Sequence, residues 1–362
     1  MPAMNETTPH GTPPAVSDWP AADLERARRC EVCGSDHRAP WLEGLTDRIF
    51  QAAPGRWTLW RCTSCGAAQL DPRPTPGSIG RAYRTYYTHQ GIPKNFLVPG
   101  DRPDLRIKRA LHLSFYNHRY GHRLAGALPL GWLAIAASRA RRARAGQYIR
   151  HLPGVGGGAS LLDVGCGDGG FLRVARALGY HARGLEFDPA AAALAQAQDF
   201  DVAVGSVDDA QVDDASLDQI TLNHVIEHLH HPVEALQRLQ RWLRPGGRVW
   251  IQTPNVDGAG AKRFGADWRG LEPPRHLVMF GPRSLRFALE RAGFERIELL
   301  PPQLDAQFYL SQSIAIRAGR DPYKPTRDQR RAARREGRAW DRAALAAPER
   351  AESITMVGYR PG

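Results

Sequence analysis

Four cysteines fall in two matching knuckles, Cys30-Glu31-Val32-Cys33-Gly34 and Cys62-Thr63-Ser64-Cys65-Gly66. The two-residue gap lets both thiolates of a knuckle face one ion, and the glycine permits the tight turn behind them. Together Cys30, Cys33, Cys62 and Cys65 close a tetrahedral shell with no position left for water, so the expected ion is a structural zinc. Iron in a rubredoxin-like site is the alternative. A second group, His224, Glu227 and His228, could move protons, because a neutral imidazole near pH 7 can take one from a hydroxyl. At helical spacing these three side chains share one face. His224-x-x-Glu227-His228 also spells a zinc-protease motif, which its position after a buried strand argues against. A third group is the loop Gly165-Cys166-Gly167-Asp168-Gly169-Gly170, whose glycines let a ligand approach the backbone closely. Glu186 follows Gly165 by 186 − 165 = 21 residues, near the distance expected of an acid that binds a ribose.

The elements needed to position these groups can be read around them. Ser160-Leu161-Leu162-Asp163-Val164 is an apolar run that predicts a buried strand entering the glycine loop. A helical stretch covers 171–178, and a second strand covers 181–185 before Glu186. Alternating strands and helices predict a parallel sheet with helices on both faces, and the carboxyl ends of its strands face the ligand crevice. Cys166 is expected to pack as a small apolar residue. Thr58-Leu59-Trp60-Arg61 reads as a strand leading into the second cysteine knuckle.

Leu161-Leu162-Asp163-Val164-Gly165-Cys166-Gly167-Asp168-Gly169 resembles motif I of the class I S-adenosylmethionine-dependent methyltransferases. Ser216-Leu217-Asp218-Gln219-Ile220-Thr221-Leu222 is similar to that family's fourth strand. Leu243-Arg244-Pro245-Gly246-Gly247-Arg248-Val249 is similar to its turn into the fifth. The resemblance implies a Rossmann-like α/β core binding S-adenosylmethionine. It implies that Gly165 and Gly167 line the methionine portion and that Asp163 anchors the loop, or the ammonium through water. Glu186 would then accept from both ribose hydroxyls, Phe187 would cover an adenine face, and Asn223 would lie near the cofactor. Many relatives carry an acid for the adenine amine after the third strand; here Ser206 takes that place, and Asp208 is the expected substitute.

The Glu227-His228 pair resembles that of methyltransferases acting on quinones and nucleotide sugars. Some quinone enzymes hold a divalent metal with Glu-x-x-Glu-His, but His224 stands where the first Glu would lie, and hard cations prefer oxygen. The expectation is therefore His228 as general base, with Glu227 orienting it or binding a substrate hydroxyl, His224 beside them and His276 as a second base. On the substrate side, Trp268 is expected to pack on a sugar or aromatic face and Arg269 to meet a phosphate.

Composition narrows the rest. The chain has 362 residues with 49 Lys and Arg against 37 Asp and Glu, a net charge of +12. Its hydrophobic fraction of 42% suits a globular protein and excludes a collagen, a wholly disordered chain or a polytopic membrane protein. The expected organisation is a disordered leader over 1–25, a zinc ribbon over 26–75, a basic helical lead-in over 76–150, the core over 151–302, a basic helical insertion over 303–350 and the last core strand over 351–362. Five cysteines, four of them in knuckles, suit a reducing compartment, so the cytoplasm is expected. An apolar stretch at 124–137, flanked by arginines, suggests peripheral membrane contact, with packing against the core as the plainer reading. The function expected is methyl transfer to a hydroxyl or activated carbon of a small molecule, phosphorylated or lipid-linked, such as a glycan, nucleotide sugar or natural-product intermediate. The alternative is an RNA methyltransferase that uses ribbon and cap to hold its polyanion.

Overall fold

The computed structural model describes residues 19–83, 97 and 103–362. Its centre is a seven-stranded sheet. The strands are β6 (Ser160–Val164), β7 (His181–Glu186), β8 (Val202–Val204), β9 (Leu217–Asn223), β10 (Leu243–Pro254), β12 (Glu295–Leu299) and β13 (Ser353–Tyr359), counted after five N-terminal strands and with β11 lying outside this sheet. The order across the sheet is β12-β13-β10-β9-β6-β7-β8. Strands β6 to β10 pair in parallel, whereas β13 runs antiparallel to both neighbours. The direction of the chain therefore reverses across β6, between β7 and β9, which is where such sheets open a ligand crevice. Five residues of β10 from Val249 to Thr253 are buried, as a central strand covered on both faces requires. Helices α4 (Gly170–Ala177), α5 (Pro189–Gln196), α6 (Pro232–Trp242) and α8 (Pro282–Arg291) cover it. Short α7 (Ala259–Phe264) lies in the long loop after β10. Helices α9 (Ala306–Arg317) and α10 (Arg327–Ala346) form the expected insertion before β13.

The N-terminal strands are β1 (Leu24–Glu25), β2 (Arg38–Leu45), β3 (Trp57–Cys62), β4 (Ala68–Leu70) and β5 (Arg73–Pro74). They do not form a self-contained ribbon. The four-stranded sheet runs β11-β4-β3-β2, and β11 (Val278–Met279) comes from the core segment, pairing Val278 with Gln69 and Met279 with Ala68. Both strands are buried, so neither edge faces water. Residues 1–18 of the expected leader lie outside the described residues; of the rest of it, Trp19 is buried edge-on against Trp57 at 5.6 Å, and Leu24 pairs with Pro74.

The lead-in consists of α1 (Pro103–Tyr120), α2 (Trp132–Ala136) and α3 (Arg139–Tyr148); of 84–102 only residue 97 is described. Arg150, at its end, is an interior residue. It reaches the Asp163 carboxylate and the Thr221 hydroxyl (2.8 Å) and lies 3.6 Å over the Phe171 ring. Arg248 in turn donates to the carbonyls of His151 and Arg150. Part of the positive charge is thus spent joining layers. Among the described residues no helix is long and apolar enough to cross a membrane.

Candidate functional site

The loop between β6 and α4 has the backbone its glycines require. Gly165 and Gly167 stand at φ +69° and +56°, in the left-handed region that disfavours side chains. A Cβ on Gly165 would come within 2.4 Å of Val225, whereas Gly167 faces open space. The Glu186 carboxylate accepts from the backbone N–H of Gly167 at 2.7 Å and of Asp188 at 2.9 Å. Burial nevertheless raises its pKa above the ordinary value. Each oxygen keeps a lone pair for a hydroxyl, since a carboxylate has roughly four acceptor positions. Phe187, next in sequence, is 54% exposed and presents an uncovered ring. Asn223 is half-buried at the carboxyl end of β9. These residues fit an adenosyl ligand: a space where a side chain would obstruct, an acid with free acceptors, and an exposed aromatic face.

Asp163 differs from expectation. It is buried, and its contacts are Arg150 and Thr221 rather than the loop. Its remaining oxygen makes no hydrogen bond. Asp208 is exposed, and its carboxylate is 3.9 Å from Arg238 of α6, while Ser206 donates to Asp209. Cys166 packs against Gly184, where a Cβ would fall 2.4 Å from the Cys166 sulfur.

The histidine group does not share a helix face. His224 has φ +55°, and only Ile226–His228 forms a single 3-10 turn before α6. This left-handed residue breaks the helical spacing and turns His224 toward Glu227, whose carboxylate lies 3.2 Å from its Nδ1. Glu227 is fully buried and also accepts from Thr253 at 3.0 Å. Burial opposes its charge, but His224 more than compensates and holds its pKa at about 2. Conversely, burial opposes a charged His224, and the Glu227 contact overrides it and raises that pKa. Glu227 therefore pairs with His224 and does not orient His228.

The backbone orients His228 instead. Its Nδ1 lies 3.0 Å from the carbonyl of Arg275, which can only accept; in the tautomer that makes this bond Nδ1 carries the hydrogen and Nε2 keeps its lone pair. The Tyr83 hydroxyl is also 3.0 Å from Nδ1, and its ring is 6.2 Å from Phe187, so this N-terminal residue spans the two halves of the site. His276 is fixed in the same way, with Nδ1 donating to Gly270 at 2.9 Å. The two imidazoles meet edge to face at 4.8 Å. His276 is buried, which lowers its pKa to about 4 and keeps it neutral at pH 7. Glu272 is 3.8 Å from its Nε2, and although burial opposes its charge, Arg269 holds it ionised.

One nitrogen from each of His228 and His276 and one Glu227 oxygen lie within 4.8 Å of one another, a set that could hold a cation. The four cysteine sulfurs meet the same limit, with Cys30–Cys65 at 3.6 Å and Cys33–Cys62 at 3.5 Å. A tetrahedron with metal–sulfur bonds of about 2.3 Å has edges of roughly 3.8 Å, so the thiols fit.

Trp268 and Arg269 do not face a crevice. Trp268 is 1% exposed, stacks on Tyr309 and donates to Glu352 at 2.9 Å. Arg269 is held by Glu272 at 2.7 Å and Gln312. An aromatic–Arg pair in a polar loop looked available for a ligand, but its partners Glu352 and Gln312 come from distant segments and take it into the interior. The sequence reading missed Tyr83 and Arg275. Arg275 is fully buried, makes two bonds to Asp47 (2.7 and 2.9 Å) and one to the Ala82 carbonyl. The nearest sequence signal was the unusual density of Arg and His around 269–276.

Residues 134–299 match a family model described as a methyltransferase domain. A tRNA U34 carboxymethyltransferase of Methylococcus capsulatus is 29% identical over 153 residues, covering 40% of this chain and 47% of that protein. A ubiquinone biosynthesis O-methyltransferase of Pseudomonas syringae pv. tomato is 34% identical over 106 residues, covering 27% and 45%. The chain spans about half the length of the curated relatives it matches. Among solved structures, an S-adenosylmethionine dependent methyltransferase from Mesorhizobium loti is 20% identical with a TM-score of 0.39, covering 60% of this chain and 98% of that one. A phosphoethanolamine N-methyltransferase of Haemonchus contortus is 15% identical with a TM-score of 0.42, covering 82% and 63%.

Proposed function

We propose that this chain, whose residues 134–299 match a methyltransferase-domain model and whose core is a Rossmann-like sheet, uses S-adenosylmethionine to methylate a hydroxyl or activated carbon of a small polar acceptor, with His228 as base. The observation that carries this reading is the anchoring of the His228 ring, whose Nδ1 lies 3.0 Å from the Arg275 carbonyl. His228 lies in the turn Ile226–His228 that follows β9, and Val225 just before that turn packs against Gly165 of the glycine loop. Bound S-adenosylmethionine supplies an electrophilic methyl carbon on a sulfonium. Gly165, Gly167 and Glu186 hold the adenosyl and methionine parts, Phe187 covers the ring, and Asn223 closes the end of β9. His228 takes the acceptor proton on Nε2. Around it, Glu227 and Glu272 stay ionised and His276 stays neutral. Zinc in the Cys30, Cys33, Cys62 and Cys65 shell is structural in this reading, because four thiolates leave no open position.

The test is His228→Ala with turnover and cofactor affinity measured separately. Turnover is expected to fall by about 10²–10⁴-fold, with cofactor affinity unchanged. Undiminished turnover would refute the base. Acceptors are sought as metabolites that gain one CH2 when the gene is present. A second reading, methylation of RNA, draws on the tRNA-modifying relative and the basic lead-in. It requires tight polynucleotide binding that weakens steeply with salt.

A further inference from the structure

The helical lead-in carries an apolar face that the fold leaves in water. Leu130 is 69% exposed, Ile107 65%, Leu133 49% and Leu128 43%. They belong to one patch: Ile107 and Leu111 are one turn apart on α1, and a Cβ on Gly131 would touch both Leu111 and Leu128. Leu130 sits at φ +55°, a strained conformation for a residue with a side chain. Glycine would be easier there, and none of the described residues buries the leucine.

The surroundings are mostly basic, although Asp104 lies on α1 and Asp341 is close to Arg144. Between Leu105 and Arg150 the sequence has ten Lys and Arg and no Asp or Glu. Arg106, Lys108, Arg119, Arg123, Arg139, Arg141, Arg142 and Arg144 are exposed. A groove of about 550 Å³ opens between α1, α2 and α3; Leu111, Ile135 and Tyr148 line it together with Lys108, Arg141 and Arg144. Arg141 and Arg142 also donate to the Ala134 and Ala136 carbonyls at the end of α2, which fixes their guanidinium groups beside the apolar turn.

We propose that this face docks on an anionic lipid bilayer. Ile107, Leu128, Leu130 and Leu133 enter the boundary between headgroups and acyl chains, and the flanking arginines meet lipid phosphates. Protruding leucines flanked by many arginines match a surface that is negative outside and apolar beneath. RNA would satisfy the charge but would leave the leucines in water. The inference does not depend on which acceptor is methylated.

The full chain is tested by co-sedimentation with vesicles of phosphatidylcholine alone or mixed equally with phosphatidylglycerol, at physiological salt. Binding to the anionic vesicles is expected to exceed binding to the neutral ones by about tenfold or more. Leu130→Gly with Leu133→Ser should lower it by about tenfold. Glycine suits the backbone at 130, so this variant keeps the fold, as its thermal midpoint will report. Equal binding to both vesicles, or none, overturns the proposal. Anionic binding that the leucine substitutions leave unchanged also overturns it, since net charge alone would then explain the attraction.

Discussion

The ion pair between Asp47 and Arg275 allows a quantitative test of how the cysteine-bearing segment is joined to the core. The Arg275 side chain has no exposure and that of Asp47 has 1%. Asp47 accepts two bonds from the guanidinium and three from the backbone N–H groups of Phe50, Ala52 and Ala53. Asp47→Asn keeps the shape but removes the charge and turns an amide N–H₂ toward the guanidinium. Breaking a buried pair in this way costs about 3–5 kcal/mol, with the lower end expected here because Glu272, 3.6 Å from the Arg275 Nε, stays beside the guanidinium. Total stability is of the order of 5–15 kcal/mol, so the loss would be a large fraction of it. For a chain of this size it corresponds to roughly 10 °C in thermal midpoint. Urea unfolding should show a lower midpoint with an unchanged slope, and the difference should persist at high salt because the pair is shielded from solvent. Turnover should fall as well, since the carbonyl of Arg275 fixes the His228 ring. A stability loss below about 1 kcal/mol, the range of exposed pairs, would refute the reasoning.

Two further outcomes follow from named groups. Burial raises the Asp305 pKa from 3.8 to about 7, and one of its oxygens has no partner. The native state then holds a proton that the unfolded chain releases above about pH 4, so this contribution to stability is complete below that pH and is lost as pH rises to about 7. Asp305→Asn should flatten the pH dependence and raise stability at pH 8 by about 2 kcal/mol, half the ceiling of roughly 4, because the residue is only half-buried; an unchanged slope in melts from pH 4 to 8 would rule this out. With zinc in the cysteine shell, as proposed, a strong chelator should lower the midpoint of the whole chain in one transition, because β4 pairs with β11. Separate melting of the N-terminal segment, with the core unaffected, would contradict that coupling.

What the sequence made legible was local. The run at 160–164, the glycine loop and the final strand at 353–359 each carry their own pattern, and each forms where expected. The cysteine knuckles converge for the same reason, since each is a short turn with fixed geometry. The joins between segments were not legible. Strand β11 is two residues long, too short to show a period, and its partner β4 lies more than two hundred residues earlier. Arg275 and Asp47 are separated by 228 positions, so nothing near either residue announces a buried pair. Trp268 looked like a platform because aromatics in polar loops often are. Its burial depends on Glu352, which is 84 positions away. His224 shows a different failure: helical spacing assumed a helix, and one residue in the left-handed region removed the premise.

These joins give the N-terminal segment a role at the chemical site. Leu70 of β4 donates its N–H to Leu277, and Leu277 donates to the carbonyl of Glu227. His276 immediately precedes Leu277, and His228 immediately follows Glu227. The separation of the two imidazoles is therefore set by a backbone ladder that begins in the ribbon. A strand of two residues cannot hold a register alone, because two ladder bonds do not offset the entropy of fixing a loop. Strand β4 can hold it, since the cysteine turn at 62–65 fixes β4 directly after β3. A one-residue slip between β4 and β11 would carry Leu277 with it and turn alternate side chains to the opposite face. His228, the proposed base, would then lose its contact with the Arg275 carbonyl. An ion with no open coordination position, well removed from the reacting atoms in its chemistry, would in this way still determine whether His228 can accept a proton.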